Sequence, residues 1–200
     1  MTAEPILAPA GRTEPARDAD TGAGISAGIS ADEYKAVFRH HPAGVVVVAL
    51  RDEHGRPVGF TATSVISVSA QPPLLAFSLA SSSSSWPAVA GATTLALSFL
   101  AHHQDDVSAR FATSGIDRFA AGGWRPLPTG EPVIDGALAW VRGRVVDRTQ
   151  VGSSHLVSVQ VLASSVQVAP ASARRPGLEA ASPLVYHDRT YHRIGDHSAI

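Results

Sequence analysis

The apolar residues of this chain occur in short runs separated by glycine, proline and polar residues. The run from Val45 to Leu50 is rich in β-branched valine, which is typical of a buried strand. The polar segment 51–57 follows it and contains Gly55 and Pro57, which predicts a hairpin loop. A membrane-spanning helix needs ~20 consecutive apolar residues, far more than any run here. We therefore expect many short strands and no membrane span.

The same pattern predicts further strands and three helices. Ser30 and Glu33 have the spacing of a capping box, which predicts a helix ending near His40. Pro87 lies in the first turn of a second, short helix, where its missing N–H costs little. Many strands with few helices indicate a mainly β fold, an antiparallel barrel with helical plugs. The predicted helices are 30–40, 84–90 and 104–112, and the predicted strands are 44–50, 58–63, 65–69, 74–80, 95–100, 137–147, 155–168, 184–187 and 190–194.

The first thirty residues differ in composition from the rest of the chain. They contain no aromatic residue and consist mainly of Ala, Gly, Pro, Ser and Thr. Such a segment buries too little apolar surface to offset the entropy of ordering it. We expect a disordered N-terminal tail over 1–30 and one folded domain over 31–196. Because no apolar stretch follows a basic start, we predict no signal peptide and a cytoplasmic location.

Charge and composition exclude several function classes. Sixteen Lys and Arg against seventeen Asp and Glu give a formal charge of −1, so the basic stripe of a nucleic-acid-binding protein is missing. The chain has no cysteine, which excludes a disulfide, a thiolate metal site and a cysteine nucleophile. The adjacent histidine pairs at 40–41 and 102–103 diverge too far to share one metal, and we predict no metal site.

Five consecutive serines, Ser81 to Ser85, are the most unusual local feature. One interpretation is a flexible polar loop. The alternative is a phosphate cradle formed by serine hydroxyls and the free N–H groups of the helix beginning near Trp86. The hydroxyl-rich stretch Thr61 to Ser64 would then help to hold the same phosphate.

Several short motifs follow one another in a specific order along the chain. They are His41-Pro42-Ala43-Gly44-Val45, Gly59-Phe60-Thr61-Ala62-Thr63-Ser64, 67–74, Phe111-Ala112, Asp117-Arg118-Phe119, Trp124, 136–139, 152–155 and Pro183-Leu184-Val185-Tyr186. This order resembles that of the flavin reductase family that serves two-component monooxygenases, and the resemblance covers roughly residues 33–194. The sequence departs from the family pattern at Thr63 and Ser98, where asparagine is usual, and at Ser153-Ser154-His155, where Gly-Asp-His is usual.

The resemblance implies a split antiparallel β-barrel homodimer that binds FMN or FAD in a groove near the dimer interface. It also implies oxidation of NADH, or of NADPH, and delivery of reduced flavin to a partner monooxygenase. His155 would be catalytic and, with Tyr186, would face the nicotinamide. Thr61 to Ser64 would lie along the flavin ring and ribityl chain, with Ser81 to Ser85 near the phosphate. The implied cofactor-binding residues are Ala43, Thr61, Ala62, Thr63, Ser64, Ser78, Ser81, Ser83, Ser84, Ser85, Phe111 and Ala112.

Two functional hypotheses remain open at this point. The first is an NAD(P)H-dependent flavin reductase. The second is a flavin carrier or redox sensor on the same barrel, in which the altered histidine motif has removed efficient reduction. The sequence does not distinguish FMN from FAD or NADH from NADPH, although Arg174 and Arg175 could meet a 2′-phosphate.

Overall fold

A computed structural model describes residues 28–166, 182–195 and 198. Residues 1–27 of the predicted tail, the pair Arg174 and Arg175, and the end of the strand predicted over 155–168 lie outside the described residues. The helices are α1 (Ala31–Arg39), α2 (Trp86–Gly91) and α3 (Asp105–Ala112). The strands are β1 (Ala43–Gly44), β2 (Val46–Arg51), β3 (Pro57–Ala62), β4 (Ile66–Ala70), β5 (Pro73–Ala80), β6 (Thr94–Phe99), β7 (Trp124–Pro126), β8 (Pro132–Ile134), β9 (Ala139–Val151), β10 (Ser154–Ser164), β11 (Leu184–His187) and β12 (Thr190–Arg193).

Seven strands form one antiparallel sheet in the order β3-β2-β6-β9-β10-β5-β4. The sheet curls on itself, and the rings of Phe60 on β3 and Phe77 on β5 meet inside it with centroids 5.9 Å apart. The hydrogen-bonded ladder is not closed between β3 and β4, so the barrel is split. A smaller sheet pairs β1, β11 and β12, and β7 pairs with β8. The predicted mainly β antiparallel fold is confirmed.

Strand β2 lies between two apolar cores. Val46, Val48 and Leu50 face the barrel interior, where they pack with residues of β3, β5, β6 and β10. Val47 and Ala49, which point to the opposite face of the strand, pack in a second core formed with α3 and β11. Because successive side chains of a strand point to opposite faces, burial on both sides requires a continuous apolar run. This double burial explains the valine-rich segment of the sequence.

The local signals near the first helix are confirmed. Ser30 accepts a hydrogen bond from the backbone N–H of Glu33, and the Glu33 carboxylate accepts from the backbone N–H of Ser30. This reciprocal pair is the capping box that the sequence predicts. Pro87 likewise lies in the first turn of α2, as predicted.

The β7–β8 hairpin differs from the prediction, which has no strand between residues 112 and 137. Each of its strands has three residues, too few for a period of two to be recognised. Glu131 anchors the hairpin and is only 4% exposed. Its Oε1 accepts a hydrogen bond of 2.8 Å from Arg142 Nε on β9, and its Oε2 accepts one from the Thr129 hydroxyl. A buried ion pair therefore fixes the hairpin on the sheet.

Burial opposes ionisation of Glu131, but hydrogen bonds outweigh it. These bonds come from Thr129, Thr94, the backbone and Arg142, and they hold the pKa of the Glu131 carboxyl below its ordinary value. Because this pKa is lower in the folded chain than in the unfolded chain, the carboxylate stabilises the fold above about pH 4.3. That contribution is lost as the pH falls through the folded-state value.

Glu131→Gln is expected to lower the free energy of unfolding near pH 7 by about 1–3 kcal/mol, because it leaves the Arg142 guanidinium without its anion. The difference from the wild type should shrink as the pH falls below about 4.3. Urea unfolding at neutral and acidic pH measures both effects. Glu53→Gln is the matched control, since the Glu53 side chain is 86% exposed. An equal loss in both variants, or a difference independent of pH, would contradict the role of the ion pair.

Candidate functional site

A groove with a volume of about 760 Å³ runs between α1, the β3–β4 connection and the β11–β12 turn. Its volume lies within the range of about 300–1,000 Å³ that is usual for ligand and cofactor sites. Five of the predicted site residues line it, namely Ala43, Thr63, Ser64, Ser78 and Tyr186. The structure therefore brings together residues that are up to 143 positions apart in the sequence, from Ala43 to Tyr186.

Strand pairing explains how these residues meet. Ala43 of β1 lies directly opposite Tyr186 of β11 in the smaller sheet. The Ser64 hydroxyl accepts a hydrogen bond of 3.0 Å from the backbone N–H of Ser78 and donates one of 3.1 Å to its carbonyl. These two bonds fasten the residues after β3 to strand β5. Thr63, the first residue after β3, is exposed in the groove.

Helix α1 forms the aromatic wall of the groove. None of its residues is buried, and the rings of Tyr34 and Phe38 lie with centroids 4.6 Å apart. The backbone N–H of Asp188 donates to the carbonyl of Arg39 at 3.1 Å, which joins the end of α1 to the β11–β12 turn. Aromatic faces beside hydroxyl groups suit a flat heteroaromatic ring with a polar edge. The groove therefore fits a planar cofactor such as a flavin.

Other predicted site residues lie outside this groove. The Thr61 hydroxyl donates to the carbonyl of Ser108 at 2.7 Å, so the side chain is turned towards α3. Ala62 is 5% exposed and belongs to the barrel core. Phe111 is fully buried against Phe119, with ring centroids 5.0 Å apart. Ala112, the last residue of α3, is exposed but does not line the groove.

The serine segment forms a hydrogen-bonded turn. The N–H of Ser81 donates to the carbonyl of Ser153, and the N–H of Ser83 donates to the carbonyl of Ala80, both at 2.9 Å. Ser84 and Ser85 line a separate cavity of about 210 Å³. The two hydroxyl-rich stretches therefore line different cavities, whereas the phosphate-cradle interpretation of the sequence would place them at one phosphate. The reason is that Thr63 and Ser64 follow the end of β3, whereas the serine turn follows β5.

Arg118 lies against the serine turn and was not predicted as a site residue. Its Nη1 donates to the carbonyl of Gly59 at 2.8 Å and to the Ser85 hydroxyl at 3.1 Å. Partial burial lowers the pKa of its guanidinium. Within the described part of the chain Arg118 forms no ion pair with a carboxylate. It is 33 positions from Ser85, so spacing alone could not place the two residues together.

His155 stacks on Trp86. The two rings are nearly parallel, with centroids 3.6 Å apart and an interplanar angle of 6°. His155, the second residue of β10, lies opposite Leu79, whose side chain faces the barrel core. His155 does not line the groove that contains Tyr186. The two residues predicted to face the nicotinamide are therefore separated within one chain.

The described residues contain neither a cluster of metal ligands nor a membrane-spanning helix. Among residues 28–166, 182–195 and 198, no three potential metal ligands cluster. No helix in the same ranges is both long and apolar enough to cross a membrane.

A split antiparallel barrel with an aromatic and hydroxyl-lined groove is the architecture of a flavin-binding barrel protein. Residues 38–195 match the family model of the flavin reductase like domain, and the chain belongs to this family. The resemblance drawn from the sequence motifs is confirmed.

Relatives of known name agree with this assignment. An NADH:FMN oxidoreductase from Rhodococcus qingshengii is 43% identical over 170 residues, 84% of this chain and 84% of that protein. The reductase subunit HsaB of a flavin-dependent monooxygenase from Mycobacterium tuberculosis is 33% identical over 152 residues, 76% of this chain and 80% of that protein. The crystal structure of a flavin reductase domain protein from Arthrobacter sp. FB24 has a TM-score of 0.72 and 34% identity, covering 82% of this chain and 95% of that one.

Proposed function

We propose that this chain is an NAD(P)H-dependent flavin reductase that reduces FMN or FAD and supplies reduced flavin to a separate monooxygenase. The groove lined by aromatic and hydroxyl side chains carries the proposal. The similarity to an NADH:FMN oxidoreductase and to the reductase subunit of a monooxygenase supports it. The proposal includes a cytoplasmic location, where NADH is available.

The groove residues have distinct roles in this proposal. Tyr34, Phe38 and Tyr186 offer flat apolar surface to the ring system. Thr63 offers a hydroxyl that can donate and accept at the polar edge of the ring. The Ser64 hydroxyl is engaged with the backbone of Ser78, so Ser64 shapes the wall of the groove rather than contacting the ring.

A bound flavin supplies the acceptor for the hydride of NADH. The contribution of the protein is then to bind both ring systems, to hold them in contact and to exclude water. Ala43, which has only a methyl side chain, leaves room for a close approach to the groove floor.

The serine turn and Arg118 are proposed to hold the flavin phosphate. Strand β5 connects the two parts of the site, because Ser78 lines the groove and Ser81 begins the turn three residues later. At about 3.3 Å per residue this step spans roughly 10 Å, which a ribityl phosphate chain can cover. The guanidinium of Arg118 supplies a cation at the turn.

A flavin carrier or redox sensor is the second candidate function. The observation that favours it is that His155 lies against Trp86 and not in the groove. Such a protein would bind flavin without accelerating its reduction.

The wild-type protein is expected to oxidise NADH only when FMN or FAD is added, since the flavin is a substrate that binds and dissociates in each turnover. Loss of NADH absorbance under steady-state conditions measures this activity. Flavin binding combined with a background rate of NADH oxidation would overturn the enzyme in favour of the carrier.

His155 is proposed to contact the nicotinamide. His155→Ala is expected to raise the KM for NADH or to slow the reduction by roughly 10- to 100-fold, the effect of one lost positioning contact. His155→Gln should recover part of the rate, because an amide can replace a hydrogen bond of the imidazole. Flavin affinity should change little. Wild-type kinetics in His155→Ala would show that the histidine only packs against Trp86.

Alanine at Ser83, Ser84 and Ser85 together is expected to weaken FMN binding by about tenfold, because each hydrogen bond to a charged phosphate contributes strongly. Riboflavin, which has no phosphate, should bind the variant and the wild type equally. Fluorescence titration of each flavin measures the affinities, and circular dichroism checks the fold. Ser82→Ala is the control for removal of an exposed hydroxyl in the same turn. An equal loss for riboflavin and FMN would place the phosphate elsewhere.

The proposal also includes a homodimer. Strand β4 is at the edge of the large sheet, and its residues Ile66 and Val68 are each 56% exposed. Val37 and Phe38 of α1 are also more than half exposed. Apolar side chains on an edge strand are normally covered in a stable protein. A second copy of the chain is the proposed cover.

Light scattering is expected to give twice the 20.7 kDa mass of one chain for the wild type. Val68→Lys should shift the protein towards the monomer, because it would bury a charge in the interface. Ile116→Lys, a change at an equally exposed apolar residue outside β4 and α1, is the matched control and should remain dimeric. A monomeric wild type would contradict the dimer.

A further inference from the structure

The groove has an excess of positive charge, although the whole chain has a formal charge of only −1. Lys35 and Arg39 are one helical turn apart on α1, and Arg189 lies in the β11–β12 turn. All three side chains line the groove. Asp188 is the one carboxylate among the lining residues that the structure describes. Cationic groups therefore collect at a site whose inner wall is uncharged.

These cations are available to a ligand. Lys35, the only lysine of the chain, pairs with Asp32 at 3.5 Å, but both side chains are largely exposed, at 66% and 96%. An exposed pair of this kind contributes little and is readily exchanged for another anion. Arg39 and Arg189 have no ion-pair partner within the described ranges. An anion entering the groove thus displaces at most one weak ion pair.

The position of Arg189 is conformationally costly. Asp188 and Arg189 are the two central residues of the hairpin turn and have φ angles of +43° and +63°. Glycine, asparagine and aspartate adopt this left-handed region most readily, so Asp188 is favourable there and Arg189 is not. A glycine at position 189 would form the same turn with less strain. The arginine at this position is therefore explained by a need for its cationic side chain in the groove.

We infer that Lys35, Arg39 and Arg189 bind the pyrophosphate of the dinucleotide hydride donor, an inference that rests on the proposed function. Arginine and lysine are the usual partners of phosphate oxygens. The flavin phosphate is assigned to the serine turn and Arg118, which line a different cavity. The cations of the groove therefore face the second anionic ligand of the reaction. We call these three residues the cationic rim.

The experiment compares two hydride donors. NADH has a pyrophosphate, whereas 1-benzyl-1,4-dihydronicotinamide has the same reacting ring and no phosphate. In the double variant Lys35→Gln with Arg39→Gln, the KM for NADH is expected to rise roughly 10- to 100-fold with little change in kcat, because charge-assisted hydrogen bonds are lost. With the phosphate-free donor this rise should be absent. An equal loss with both donors would overturn the proposal.

A second arm distinguishes the two possible sources of phosphate. The same variant is assayed with FMN and with riboflavin as the acceptor. A rise in the KM for NADH that is the same for both acceptors supports binding of the dinucleotide. A defect that is seen with FMN and vanishes with riboflavin would assign the cationic rim to the flavin phosphate and overturn the proposal.

The turn offers a matched pair of variants. Arg189→Gly and Asp188→Gly each remove a side chain from a left-handed residue. Arg189→Gly is expected to raise Tm by about 2 °C, whereas Asp188→Gly should change Tm little, because aspartate already suits this turn. Only Arg189→Gly should raise the KM for NADH, whereas Asp188→Gly should leave it unchanged or lower it. An equal rise in both would attribute the effect to the shape of the turn. Arg125→Gln, which removes an exposed cation outside the groove, controls for net charge and should leave the KM unchanged.

Failure of the inference and failure of the proposed function give different results. A wild-type protein that oxidises neither donor would overturn the proposed function. Equilibrium binding of ADP-ribose, which contains the pyrophosphate, then tests the cationic rim directly. Binding that is weakened by Lys35→Gln with Arg39→Gln supports the rim, and binding equal to that of the wild type overturns it.

Discussion

Burial of strand β2 on both faces organises the whole molecule. Val46, Val48 and Leu50 close the barrel on one side, while Val45 and Val47 attach α3 and β11 on the other. At about 25 cal/mol per Å² of apolar surface, this continuous run contributes more than any polar contact near it.

Alternation along the strands decides which groups face a ligand. In β3 and the residue after it, Thr61 turns towards α3, Ala62 enters the barrel core and Thr63 reaches the groove. Gly59 of the same strand leaves room for Phe111, since a Cβ there would lie 2.9 Å from the phenyl ring. Phe111 thus supports the wall behind the site. The groove uses strand ends and loops, where side chains do not have to be apolar.

The charged groups Glu131, Arg142 and Arg118 differ in whether they have a partner of opposite charge. Glu131 and Arg142 hold the β7–β8 hairpin on the sheet, and both ends of that contact are paired. Arg118 is hydrogen-bonded to neutral oxygens only, so its charge has no carboxylate partner within the described residues. The Glu131–Arg142 pair is thus compensated within the fold, whereas the charge of Arg118 is not.

The sequence by itself predicted the helices, the strands other than β7 and β8, the capping box and the family, because these depend on neighbouring residues and on the order of motifs. It also predicted Thr63, Ser64 and Tyr186 as site residues, which line the groove. Only the tertiary structure decided that Arg118 meets Ser85, that His155 stacks on Trp86, and that Lys35 and Arg189 share one groove. Such contacts join residues that are distant along the chain. They form because strand register and sheet curvature bring these residues together, and a local sequence pattern does not show which distant residues will meet.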